Sequence, residues 1–243
     1  MPRGFQGVKQ TSEEIQARRN AGGDGGTSAL WFRLADGESA IVRFLEQGED
    51  IFWCYMHEVP VEGRNFGRDV VCCNQENDGT PCPGCEQDLQ RKFKGFVNLI
   101  WNEAPIFKRD KEGKLEKEDG KVVITGHKPQ VAVWGSGIRV FEELEEVNTD
   151  YRGLRSRRFK VKRKGVKLDT KYHISPADTD GGKEDFTAAE KELEAKKYDL
   201  NTFIKPPSYD EFLKELGQSP QQHNGGGSGE QQGRGNPFMR NRG

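Results

Sequence analysis

The chain has 243 residues, of which only 33% are hydrophobic and 32% charged. It is long enough for one substantial core, yet carries too much polar sequence to pack throughout. No apolar run approaches membrane-spanning length and no signal-type segment follows Met1, so the expectation is a protein with no membrane partner in a reducing cytoplasm, its five cysteines thiols or metal ligands. The net charge of −1 hides a segregation. Ala21 to Asp150 holds 15 Lys/Arg against 24 Asp/Glu, whereas Tyr151 to His173 holds ten against one.

Residues 1–28 read as a basic N-terminal arm, with Arg3, Lys9, Arg18 and Arg19, a short helix signalled by the Thr11-Ser12-Glu13-Glu14 capping box, and a glycine-rich linker from Gly22 to Gly26. The folded region is expected over residues 29–217. Its strand candidates are Ser39 to Leu45, Ile51 to Val59, Phe66 to Cys72, Phe96 to Trp101, Lys121 to Thr125, Gln130 to Trp134, Ser156 to Lys164 and Lys171 to Ser175. Eight short strands separated by turns predict a mainly β fold with some helix, closed into a small barrel. Helices are expected over Cys85 to Phe93, after Gly137 where Ile138, Phe141, Leu144 and Val147 recur at helical spacing, and behind the capping boxes Thr187 to Glu190 and Ser208 to Glu211, the second ending at Gly217. Residues 218–243 are rich in Gln, Gly, Asn and Ser, which cannot offset the entropy of ordering, so a disordered tail is expected.

His57, Cys72, Cys82 and Cys85 have the composition and spacing of a metal site. The Cys82-Pro83-Gly84-Cys85 turn brings two thiolates together, and the loop through Asn77, Asp78 and Gly79 lets Cys72 return to them; one structural zinc ion is predicted. The competing readings are buried small hydrophobes, a disulfide pair or a redox Cys-x-x-Cys, the last of which wants a βαβ context that the strand-rich surroundings lack. Cys72 and Cys73 are neighbours in an extended segment and point opposite ways, so only one ligates easily. Turn and strand geometry favours Cys72, with Cys73 the alternative. Cys54 lies three residues from His57 in a strand, on the other face, and is assigned to the core. His127, His173 and His223 are distant in sequence and are read as ordinary residues.

In the basic stretch, Phe159 and Val161 alternate with Arg158, Lys160, Lys162 and Lys164, which describes a strand with one buried and one cationic face. Lysine protection of an edge strand is the plainer reading of that run. A single strand of nucleic acid exposes phosphates and base faces, so cations and aromatics together can bind it without reading sequence. Candidate phosphate contacts are Arg43, Arg64, Arg68, Lys92, Lys94, Arg139, Arg155, Arg157, Arg158, Lys160 and Lys162. From an aromatic pool that is mostly core (Trp53, Tyr55, Phe93, Phe96, Trp101, Trp134, Tyr151), the candidate stacking residues are Tyr55, Phe93, Trp101 and Tyr151. Four protein ligands close a metal site, Glu58 points to the strand face opposite His57, and no phosphate loop, nucleophile elbow or carboxylate pair is present, so an enzyme is not expected. A zinc-ribbon transcription or RNA-binding factor shares these features.

The order Ser39-Ala40-Ile41-Val42-Arg43-Phe44-Leu45, then His57, then C-x9-C-x2-C, then Gly95-Phe96-Val97-Asn98-Leu99-Ile100-Trp101 resembles the zinc-containing single-stranded-DNA-binding proteins of tailed phages, the helix-destabilising proteins of the T-even type. The resemblance covers residues 1–217. It implies an OB-fold barrel with a zinc-binding subdomain (about residues 54–95), flanking helices, and coating of single-stranded DNA with self-association along the strand during phage replication, recombination or repair in the bacterial host. It also supports Cys72, because the nine-residue gap to Cys82 matches the family's. Two features depart from it. The N-terminal basic residues are dispersed, and the tail after Gly217 has one acid, Glu230, against Arg234, Arg240 and Arg242 where the family's partner-recruiting tail is acidic. Asn236-Pro237-Phe238 resembles the Pro-Phe tip of bacterial single-strand binders, and Pro237 and Phe238 are expected to be the tail's apolar anchor for replication or recombination proteins.

Overall fold

The strands are β1 (Ser39–Phe44), β2 (Phe52–Val59), β3 (Arg68–Val71), β4 (Arg91–Phe107), β5 (Lys117–Glu118), β6 (Lys121–Val122), β7 (Ile124–Ser136), β8 (Phe159–Lys164) and β9 (Lys171–Pro176). The helices are α1 (Pro83–Glu86), α2 (Ile138–Asp150), α3 (Ala188–Glu194), α4 (Leu200–Phe203) and α5 (Tyr209–Glu215). They belong to a computed structural model that describes residues 29–61, 63, 67–166, 169–178 and 185–218. The expected N-terminal helix, the glycine linker, Arg64 and the tail beyond Gln218 lie outside the described residues.

The seventeen-residue strand β4 organises the sheet. Its first part pairs with β2, its middle with β1, and its other edge with β7, giving an antiparallel seven-stranded sheet in the order β3-β2-β4-β1-β8-β9 with β7 branching from β4. A strand buried on both faces needs apolar residues at consecutive positions, and the run Phe96-Val97-Asn98-Leu99-Ile100-Trp101 supplies them. Val97, Leu99 and Trp101 enter the main core with Val42, Phe44, Trp134, Phe159 and Val161, while Phe96 and Ile100 face the opposite side and pack against residues of the C-terminal segment.

Tertiary pairing lengthens β4 and β7 well past the short strands expected from sequence. Trp134 on β7 meets Tyr172 on β9 with ring centroids 5.1 Å apart, so the sheet curls around its main core. Among the described residues no ladder joins its ends, and the closed barrel expected from sequence is not found.

Helix α2 covers one end of that core with Val140, Phe141, Leu144 and Val147, as its periodicity predicts, though Ile138 stays exposed. Gly95 makes room for it: a Cβ there would lie 2.5 Å from the Phe141 ring. Both expected capping boxes are present, Thr187 with Glu190 before α3 and Ser208 with Glu211 before α5. The helix expected over Cys85 to Phe93 is a correction. It lasts one turn, Asp88 takes φ 55°, and Arg91 to Phe93 pair with His57 to Tyr55 of β2, because the long-range ladder outweighs local helix preference.

Candidate metal centre and cationic surface

Strand alternation positions the first ligand. In β2, Trp53, Tyr55 and His57 share one face, and Cys54 and Met56 share the other, where they join a core with Phe96, Leu200 and Ile204. Cys54 is therefore core, its thiol pushed up to about 11 by burial. Cys72 follows β3, anchored by its backbone N–H to the Tyr55 carbonyl at 2.9 Å. Cys82 is the N-cap of the single turn of α1 and Cys85 lies within it, with Pro83 at the first helical position. Gly84 is required there by close approach, since a Cβ would lie 2.6 Å from His57 Cδ2.

The four ligand atoms lie within 4.8 Å of one another. Cys72 Sγ is 3.7 Å from both Cys82 Sγ and Cys85 Sγ, and His57 Nε2 is 3.6 and 3.4 Å from the same two sulfurs. Tetrahedral ligation with metal–sulfur bonds of about 2.3 Å has edges of about 3.8 Å, so this set can hold one metal ion. Cys73 lies close to Cys82 but outside this set of four, and its thiol donates to the Pro207 carbonyl at 3.4 Å, which favours Cys72 as the ligand. His57 Nδ1 donates to the Leu89 carbonyl at 2.8 Å, leaving Nε2 free to coordinate. Burial keeps the imidazole below its ordinary value with help from the nearby Arg91 charge, against the bonds to Leu89 and Gln90, which favours the neutral, ligating form of the ring. Without an ion, burial and the neighbouring sulfurs push the Cys72 thiol up to about 12. Burial also raises Cys82, but hydrogen bonds from the Cys85 and Cys73 backbone, from Cys72 and from the Gly84 backbone hold it below its ordinary value, and a cation bound among the sulfurs would favour the thiolate form of all three.

The candidate phosphate and stacking residues do not line one groove. Arg43 is fully buried: its guanidinium bonds to the Asp185 and Arg155 carbonyls, faces Glu190 at 3.8 Å and stacks over Phe186. Arg157 is buried against Tyr151 and Asp178, and Tyr151 itself packs on Phe159. Trp101 is a core residue, edge-on to Phe32. Arg43, Arg157 and Trp101 are buried and Tyr151 is half-buried; Trp101 points into the main core, whereas Arg43 lies on the opposite side of the sheet and is covered by the segment carrying Phe186 and Glu190. Arg155 pairs with Glu194, Arg158 with Glu190 at 3.0 Å, Arg68 with Glu215, Lys92 with Glu58 and Lys94 with Asp69. Arg139 lies in a shallow concavity with Glu142, Glu143, Glu146 and Asp150.

Lys160 and Lys162 differ from all of these. With Lys164 they project from the exposed face of β8, opposite buried Phe159 and Val161, and β9 adds Lys171 beside Lys164. None of these four lysines has a carboxylate partner among the described residues. Strand β8 lies between β1 and β9, not at the sheet edge, so edge protection does not account for its lysines.

Tyr55 and Phe93 are half-buried neighbours across the β2–β4 ladder. Sequence reasoning missed their companion Trp53, which is 54% exposed and stacks on Phe93 at 5.9 Å and 23°. It also missed Arg91, which lies over the Tyr55 ring at 4.2 Å and bonds to Asn77 and to the Asn74 carbonyl. The signal was available, since Trp53, Tyr55 and His57 are in phase at a period of two.

No known protein family and no curated protein matches the sequence. No helix among the described residues is long and apolar enough to cross a membrane.

Proposed function

We propose that the chain binds single-stranded DNA without strong sequence preference, in the setting of phage DNA replication, recombination or repair inside the host cell, and that its metal is one structural zinc ion. The observation that carries the reading is the row of lysines on interior strand β8. Lys160, Lys162 and Lys164 hold positive charge on one face with no carboxylate partner among the described residues, whereas Arg155 and Arg158 beside them are paired with Glu194 and Glu190. A concentrated, unneutralised cationic surface attracts a polyanion, and it adds nothing to sheet closure that neutral residues would not.

One histidine and three cysteines in tetrahedral array suit zinc, and four protein ligands leave no open coordination position for a substrate, which supports a structural role over catalysis. The curled antiparallel sheet with α2 across one end of its core supports an OB-type architecture left open between its ends.

The deciding experiment compares single-stranded DNA, duplex DNA and unstructured RNA of one length at one salt concentration. Tightest binding to single-stranded DNA is expected. Preference for RNA or for duplex would replace this reading with that of an RNA-binding or zinc-ribbon transcription factor.

A further inference from the structure

Trp53 presents more than half of its surface to solvent at a position held rigid from beneath. Its ring stacks on Phe93 and receives Tyr55 edge-on, at 5.8 Å and 83°. Phe93 in turn packs edge-on against Phe141 of α2 at 6.1 Å. Tyr55 is fixed on both sides: Gln75 accepts from its backbone N–H at 2.8 Å and donates to its carbonyl at 2.9 Å, and the same amide donates to the Cys72 carbonyl at 2.6 Å. Arg91 caps the Tyr55 ring and ties the loop at Asn74 and Asn77 to it. The loop that carries Cys72 therefore braces the aromatic group. An indole left exposed costs hydrophobic free energy, and a rigid frame holding it there is what a flat π ligand requires.

The register places this group on the face opposite the lysines. Trp53 is level with Gly95 and Tyr55 with Phe93, on the same side of β4 as Val97, Leu99 and Trp101; Val42 and Phe159 continue that side across β1 and β8. Lys160 and Lys162 lie on the other side. A ligand reaching both passes around the rim of the curled sheet.

We propose that Trp53, supported by Phe93 and Tyr55, is a stacking site for an unpaired nucleobase, separate from the phosphate-binding lysines and braced by the metal-binding loop. The proposal rests on the single-strand-binding reading. The patch fits a base because its exposed ring stands in a series whose next member already carries a guanidinium, and because the lysine face supplies charge complementarity to the backbone that would bring the base there.

The test measures binding of the metal-loaded full chain to an oligothymidylate of about twenty nucleotides, and to an abasic phosphodeoxyribose strand of the same length, at fixed salt. Trp53→Ala is expected to weaken oligothymidylate binding at least about fivefold, to leave abasic-strand binding and the salt slope unchanged, and to abolish tryptophan quenching by the bases. Trp53→Phe is expected to keep most of the affinity and controls for folding. Equal loss on both strands, or no loss on either, overturns the stacking site. A change of oligomeric state in Trp53→Ala with base binding intact also overturns it and makes the patch a self-contact. If the parent binds both strands equally, the lysine-based reading survives and the stacking site falls; if it binds neither, both fall.

Discussion

The Phe212 ring stands edge-on to the His57 imidazole, with centroids 5.8 Å apart and an interplanar angle of 75°. Phe212 is fully buried among Val59, Val70, Cys72 and Cys82, so α5 closes the metal centre from a position 155 residues downstream of its first ligand. Tyr209 of the same helix donates its hydroxyl to Glu86 at 2.6 Å, tying α5 to α1. Phe212→Ala is expected to lower stability by about 3–5 kcal/mol, as large-to-small changes in a packed core do, and to speed metal loss to a chelator. Thermal unfolding together with a colorimetric metal-release assay checks both; unaltered release would show that α5 does not guard the ion.

Gly84 tests the ligand geometry without removing a ligand. The Cβ of Gly84→Ala would collide with the His57 ring and with Phe212, which lies at 2.8 Å. The expected cost is about 1–3 kcal/mol, with weaker metal binding, because the imidazole must shift away from the three sulfurs. Metal content after dialysis against a competing chelator is the readout, with Gly79→Ala beside it for comparison. Gly79 has open space around it, so only its backbone at φ 84° is strained.

The α3 contact should respond to acid. Burial raises the Glu190 carboxyl, but the bonds from Thr187 and Arg158 outweigh it and hold the group below its ordinary value. A folded value below the unfolded one means stabilisation that is complete above the unfolded value and is lost as pH falls through the folded value. Glu46 has the opposite sign. Its burial, outweighing the bonds from Asn98, raises the carboxyl, so the cost of its charge is relieved as pH falls through the raised value. Glu190→Gln removes the carboxylate facing Arg43 and Arg158. It is expected to cost about 3 kcal/mol at neutral pH and to flatten the acid limb of urea-unfolding midpoints that begins as pH falls below the unfolded value of about 4.5. An acid limb identical to the parent's would show that Glu190 is not the responding group.

Lysines and arginines of one basic stretch should separate by phenotype. Lys160→Ala with Lys162→Ala is expected to leave stability within about 0.5 kcal/mol, to weaken binding to every single-stranded sequence, and to lower the slope of log K against log salt by about 1–2. Arg155→Ala with Arg158→Ala, which removes the partner of Glu194 and one of the two cations facing Glu190, is expected to act mainly on unfolding. A parental salt slope in the lysine variant would remove β8 from the binding surface.

Removing the metal should act on the aromatic group more than on the lysines. Chelation frees the Cys72 loop, and with it Gln75 and Arg91, which brace Tyr55; β8 and β9 lie across the sheet from it. Oligothymidylate affinity is expected to fall more than abasic-strand affinity, measured before and after chelation on the same sample. An equal fall on both would mean that the loop braces the whole sheet.

What the sequence determined by itself was local and periodic. The spacing of His57, Cys72, Cys82 and Cys85 was enough to assemble a four-ligand site, because a Cys-Pro-Gly-Cys turn fixes its own geometry. A period of two separated Phe159 and Val161 from Lys160 and Lys162, the 3.6-residue period put Phe141, Leu144 and Val147 inward, and two capping boxes marked α3 and α5. Only the tertiary structure decided which cations remain available and which aromatics are exposed. Arg155 and Arg158 read the same as Lys160 in sequence, and they differ because α3, more than 30 residues later, brings Glu194 and Glu190 against them. Trp53 and Trp101 are both strand tryptophans. One stays in solvent because the apolar layer of β1, β7 and β8 stops short of it, and the other is enclosed by Phe32 and that layer. Periodicity specifies which side of an element turns inward. How far the covering layer extends, and which distant charge meets which, depend on segments that are far apart in the chain and meet only on folding.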